Sequence, residues 1–107
     1  MENENFRDKR AQEIITRKAS EFIQNESNGQ SLVTVTSIMI SKDFKNATIF
    51  VTVFPAHKNR AVMDFLSRQK SAFRHFIKTT TRLNKIPVFD FQIDLGEISR
   101  QRVDELL

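Results

Sequence analysis

Two short runs constrain this chain more than any other feature. Residues 32–41 and 48–54 are crowded with Val, Ile and Thr, and Pro55 closes the second. The polar Lys42-Asp43-Phe44-Lys45-Asn46, followed by Ala47, lies between them. β-Branched side chains suit a pleated surface, so the pair predicts an antiparallel hairpin. Side chains alternate along a strand, which puts Ile49, Val51 and Val53 on one face and Phe50, Thr52 and Phe54 on the other. The first set is expected to meet the rest of the core. Phe50 and Phe54 are expected to pack at its edge rather than stack on bases.

Helical periodicity brackets the hairpin. After five residues expected to stay outside the helix, residues 6–24 carry Ala11, Ile14, Ile15, Ala19, Phe22 and Ile23 at helical spacing. Residues 25–31 have no apolar side chain and include one of only two glycines, which predicts a loop. Residues 60–83 form a second helical region whose buried side is Val62, Phe65, Leu66, Phe73, Phe76, Ile77 and Leu83. Arg68-Gln69-Lys70-Ser71 interrupts that seam, so a kink or a break into two helices is expected there. Pro87 cannot continue a helix. It opens residues 88–94, where Phe89, Phe91 and Ile93 alternate with Asp90, Gln92 and Asp94 as in a strand. Residues 99–107 are a short helical candidate. The order α-β-β-α-β predicts an α+β fold with the helices on one face of a three-stranded sheet. With 107 residues and no repeat or linker, residues 1–107 are expected to form a single domain.

The composition removes several classes of function. Zero Cys excludes a disulfide scaffold, a thiolate zinc site and a thiol nucleophile together, and suits a reducing compartment. Gly29 and Gly96 are the only glycines, too few for a P-loop or a dinucleotide fingerprint. His57 and His75 have no metal-ligand spacing around them. His75 follows Arg74 and is expected on a helix surface, with no catalytic role. Asp90 and Asp94 share a strand face about 13 Å apart, too far for an acid/base pair, and are expected simply to face water on the open side of the sheet. No catalytic residue, metal or cofactor is therefore expected. No apolar run approaches the roughly 20 residues that span a bilayer, and the acidic start resembles neither a signal nor a transit peptide. A cytoplasmic protein is the expectation.

Charge points to a partner. Residues 58–85 hold eight Lys or Arg against the single acid Asp64, a net +7 that leaves the other residues, nine cations against twelve acids, at −3. Lys70, Arg74, Lys78 and Arg82 recur every four residues, with Phe73, Phe76 and Ile77 between them, which at helical period makes a cationic ridge beside an apolar seam. Solvated helices intersperse Glu with Lys, but this ridge has no acid within four residues. Such self-repulsion is relieved by a polyanion. Nucleic acid is favoured over an anionic membrane, because the core needs the apolar side of the helix. Lys70, Arg74, Lys78, Arg82 and Lys85 are the main candidates for phosphate contact. Arg7 and Arg10 form a second candidate patch, and Lys42 and Lys45 on the hairpin turn are further ones.

Several segments resemble the ribosome-binding factor A family, bacterial assembly factors of the small ribosomal subunit. Arg7-Asp8-Lys9-Arg10 before an amphipathic helix is similar to the family's opening, and residues 41–51, Ser-Lys-Asp-Phe-Lys-Asn-Ala-Thr-Ile-Phe-Val, to its hairpin. Phe73-Arg74, then Arg82-Leu83 with residues 86–91 and Asp94, resembles its third helix running into the last strand, and residues 102–107 its closing segment. The resemblance implies a KH-like fold in which a helix kinked at an A-x-G step replaces the usual G-x-x-G loop. That step aligns with Gln69-Lys70-Ser71, and Asn84 stands where the family usually has Arg. It further implies a non-enzymatic, monomeric RNA-binding factor that acts in 16S rRNA processing on the immature 30S subunit, with maturation GTPases as candidate partners. Alternatives are a ribosome-dormancy factor, a general KH-like RNA-binding module and, in another class, a protein-interaction adaptor using Phe50 or a strand edge.

Overall fold

The computed structural model describes residues 2–26 and 31–96, with side chains described for residues 9–25 and 31–96. The chain runs α1 (Glu2–Glu26), β1 (Leu32–Ile40), β2 (Asn46–Phe54), a 3-10 turn (Ala56–Lys58), α2 (Asn59–Arg68), α3 (Lys70–Thr80) and β3 (Val88–Ile93). The helical candidate at residues 99–107 lies outside the described residues.

α1 begins at Glu2, so residues 2–5, expected outside the helix, belong to it. Glu is a good helix former. Along α1, Ala11, Ile15, Ala19, Phe22 and Ile23 are buried, a stripe at positions three to four apart that faces the sheet.

β1 and β2 pair antiparallel with Leu32 opposite Phe54 and Ile40 opposite Ala47. The register shifts between Val35 and Ser37, a β-bulge at Thr36. The side chains require it: Val33 and Val35 pack on the core at odd positions, Ile38 and Ile40 at even ones. One extra residue restores the core-facing parity after the bulge. β3 lies parallel to β2, with Asn46 opposite Val88 and Val51 opposite Ile93, which gives the order β1-β2-β3.

The core lies between this sheet and the helices. Ile49 and Val51 are buried as expected, while Val53 is only half-buried. In the second helical region Leu66, Phe73 and Ile77 are buried, and Val62, Phe65, Phe76 and Leu83 pack half-buried around them. Phe73 is the aromatic centre. Its ring meets Phe89 edge-on at 4.7 Å, Phe22 at 5.3 Å and Phe91 at 5.7 Å, joining α3, β3 and α1. Phe50 is half-buried on the opposite face of the sheet, and Phe54, expected to pack at the core edge, is 73% exposed beside Leu32.

Candidate nucleic-acid interface

The expected break falls at Gln69, which ends α2 and begins α3 with φ −99° and ψ 5°. Its amide donates to the Leu66 carbonyl at 3.0 Å, and its carbonyl accepts from the Phe73 amide at 2.8 Å, so both helix ends find partners at one residue. Because φ stays negative, the turn needs no glycine. Gln69 and the exposed Ser71 therefore make the junction between α2 and α3 without glycine.

α3 ends at Thr80, earlier than the expected Leu83. Three threonines turn their hydroxyls back on the helix: Thr79 donates to the His75 carbonyl at 3.0 Å, Thr80 to that of Phe76 at 2.6 Å and Thr81 to that of Ile77 at 2.7 Å. Such bonds occupy the last carbonyls, and β-branching disfavours a further turn. Arg82 consequently leaves the ridge and stands exposed in the segment 81–87 with Lys85, so the helix carries three cations, Lys70, Arg74 and Lys78.

Two of those three are engaged within the protein. The Lys70 ammonium lies 2.9 Å from the Asp90 carboxylate, and a guanidinium nitrogen of Arg74 donates to the Ile86 carbonyl at 3.1 Å. The hydrogen bond from Lys70 is the chief reason that the Asp90 carboxyl sits below its ordinary range. The ridge does lack acids in sequence, but β3 brings one to it from twenty residues away. Contrary to the expectation that both would simply face water, Asp90 pairs with Lys70, and the Asp94 carboxylate accepts the Thr36 hydroxyl at 2.5 Å.

The hairpin turn meets the segment 81–87. The Val88 amide donates to the Lys45 carbonyl at 2.8 Å, one residue before the first rung between β2 and β3. Within the turn, Asp43 accepts the Ser41 hydroxyl at 2.6 Å and the Lys45 amide at 3.0 Å, while Phe44 takes φ 62°, a left-handed conformation uncommon for a bulky residue. Lys42 and Lys45 are exposed there. Lys45 and Lys85, forty residues apart in sequence, are thus brought to one end of the sheet.

The second patch lies on α1. Arg10 is exposed on α1, and Arg7 belongs to α1 with its side chain outside the described residues. Lys18 of the same helix pairs with Glu21 at 3.4 Å and sits 5.5 Å from the Phe76 ring centre. His75 is exposed on α3, as expected, and His57 is exposed in the 3-10 turn.

Residue reading missed the Thr36–Asp94 bond and the ion pair of Lys70. The shift of apolar parity between Val35 and Ile38 could have revealed the bulge that presents Thr36. Nothing in the local sequence couples Lys70 to Asp90.

A three-stranded mixed sheet covered on one face by helices, with a glycine-free break before a basic helix, defines a KH-like α+β domain. A family model described as Ribosome-binding factor A matches residues 7–107, and the chain belongs to that family. Ribosome-binding factor A of Paramagnetospirillum magneticum is 32% identical over 75 residues, 70% of this chain and 53% of that protein, so the matched stretch spans about half the relative's length. The crystal structure of ribosome-binding factor A from Thermus thermophilus superposes with a TM-score of 0.70 at 21% identity, covering 78% of this chain and 91% of that one. A homology model of the Thermus thermophilus factor, fitted into the cryo-EM map of its 30S complex, aligns with a TM-score of 0.69 at 21% identity, covering 79% and 92%.

Proposed function

We propose that this chain is a non-enzymatic factor that binds the immature small ribosomal subunit and assists late maturation of its 16S rRNA. Membership of the ribosome-binding factor A family carries the reading, and the Thermus factor's 30S complex supports the choice of particle. Residues 1–107 act as one RNA-binding domain, monomeric, cytoplasmic and without a cofactor. Maturation GTPases are candidate partners in this scheme.

Binding energy is the whole mechanism. A factor that holds one rRNA arrangement more tightly than its competitors shifts the population toward that arrangement, by as much as its affinities for the two differ. Phosphate contact supplies affinity and position, since these cations carry no pattern for reading base edges. Lys78, Arg82, Lys85, Lys42 and Lys45 are the first contacts to expect. Lys70 and Arg74 reach RNA only alongside, or in exchange for, their bonds to Asp90 and the Ile86 carbonyl. Arg7 and Arg10 remain a second patch.

Sedimentation of the tagged protein through a lysate gradient at two salt concentrations tests the reading. Comigration with free small subunits enriched in unprocessed rRNA, lost as salt rises, is the expected result. Migration with intact ribosomes would favour a dormancy role, and absence from every ribosomal fraction would overturn the proposal.

A further inference from the structure

We infer that the hairpin turn and the segment 81–87 form one composite phosphate-binding site, in which Lys42, Lys45 and Lys85 grip the RNA backbone together. The inference rests on the RNA-binding part of the function proposed above and assigns the place of tightest backbone contact to the end of the sheet rather than to the exposed length of α3.

The first support is proximity. Lys45 and Lys85 are forty residues apart, yet the Val88 amide bonded to the Lys45 carbonyl and the Asn46–Val88 rung hold their segments side by side. Lys85 lies close enough to Asp43 for its charge to be felt there: the Asp43 carboxyl is held below its ordinary value by the Ser41 hydroxyl first, then by the Lys45 amide, with the Lys85 charge a smaller contribution.

The second is fixed geometry. Asp43 spends its carboxylate on Ser41 and on the Lys45 amide, and the Asn46 amide bonds the Ser41 hydroxyl at 3.0 Å, so the turn is cross-braced. Arg74 holds the Ile86 carbonyl at 3.1 Å, and the Leu83 amide meets the Thr81 hydroxyl at 3.4 Å, which braces the neighbouring segment at two points. Cations on braced backbone lose less freedom on binding than cations on a free loop.

The third is charge availability. Among the described residues the ion pairs are Lys18–Glu21 and Lys70–Asp90, so Lys42, Lys45 and Lys85 have no carboxylate at ion-pair distance. All three are exposed. An RNA phosphate can approach them without displacing an internal partner, whereas at Lys70 it must compete with Asp90.

The test measures affinity for purified small subunits carrying unprocessed 16S rRNA, and for the naked rRNA, across a salt series. K42Q/K45Q/K85Q is compared with K58Q/R60Q/R68Q, which removes equal charge from the 3-10 turn and α2. The expected result is a loss of ten-fold or more for the first triple, with the salt slope reduced by about 2, and a loss below three-fold for the second. Equal losses would show only diffuse attraction and overturn the composite site. Wild-type-like binding by the first triple would overturn it while leaving the proposed function standing. Failure of the wild-type protein to bind either probe would overturn both.

Discussion

The Lys70 ammonium stands 2.9 Å from the Asp90 carboxylate and ties the first turn of α3 to β3. Asp90 alternates with Phe89 and Phe91, which are buried under the helices, so the pair joins α3 to the residue set on the strand's other face. With Arg74 on the Ile86 carbonyl, it makes part of the basic ridge a fastening of the fold. Both side chains of the pair are over two-fifths exposed, which limits its worth to about 0.2–1 kcal/mol. A double-mutant cycle of K70Q and D90N, followed by urea unfolding, should give a coupling in that range. Zero coupling would mean that the contact adds no stability.

Acid should loosen the same pair. The Asp90 carboxyl is held below its ordinary value of 3.8, principally by the Lys70 hydrogen bond, so the folded state binds its proton less readily than the unfolded chain does. The associated stability is present above the unfolded value and is lost as pH falls through the lower folded one. Between pH 5 and pH 2 the wild-type protein should lose stability more steeply than D90N. Parallel curves would contradict this assignment.

Phe73 bears the packing of three elements. Replacing it with Ala removes the ring that meets Phe22, Phe89 and Phe91 and should cost about 3–5 kcal/mol, enough to consume much of a small domain's stability. Phe76→Ala, at a half-buried position, should cost clearly less. Thermal unfolding of the two variants side by side checks the order.

A glycine at position 71 should not help. Ser71 lies inside α3, and the break is already made at Gln69 with negative φ. S71G should therefore lower stability by about 0.5 kcal/mol through helix propensity alone. A gain in stability would mean that the helix junction is strained in a way its dihedrals do not show.

The Thr36 hydroxyl reaches Asp94 at 2.5 Å and the Phe50 carbonyl at 3.3 Å from the bulge in β1. T36V keeps the β-branched shape and loses the donor to a charged acceptor, which should cost about 1.5–3 kcal/mol. T36S should retain most of it. Equal unfolding midpoints for T36V and the wild-type protein would remove this bond from the account.

Local pattern alone determined the elements. Alternation along residues 48–54 and 88–94, helical spacing around Phe22 and Phe73, the interruption at Gln69 and the proline at 87 are all properties of neighbouring residues, and secondary structure answers to neighbours. The concentration of positive charge was legible for the same reason. The tertiary structure decided which cations are available to a partner. It set β3 parallel to β2, brought Asp90 to Lys70 and the Ile86 carbonyl to Arg74, and placed Lys85 beside the hairpin of Lys42 and Lys45. Each of these depends on groups that are distant along the chain and meet only when the sheet closes on the helices. Electrostatic and hydrogen-bond energies depend on separation in space, and a linear sequence does not contain that separation.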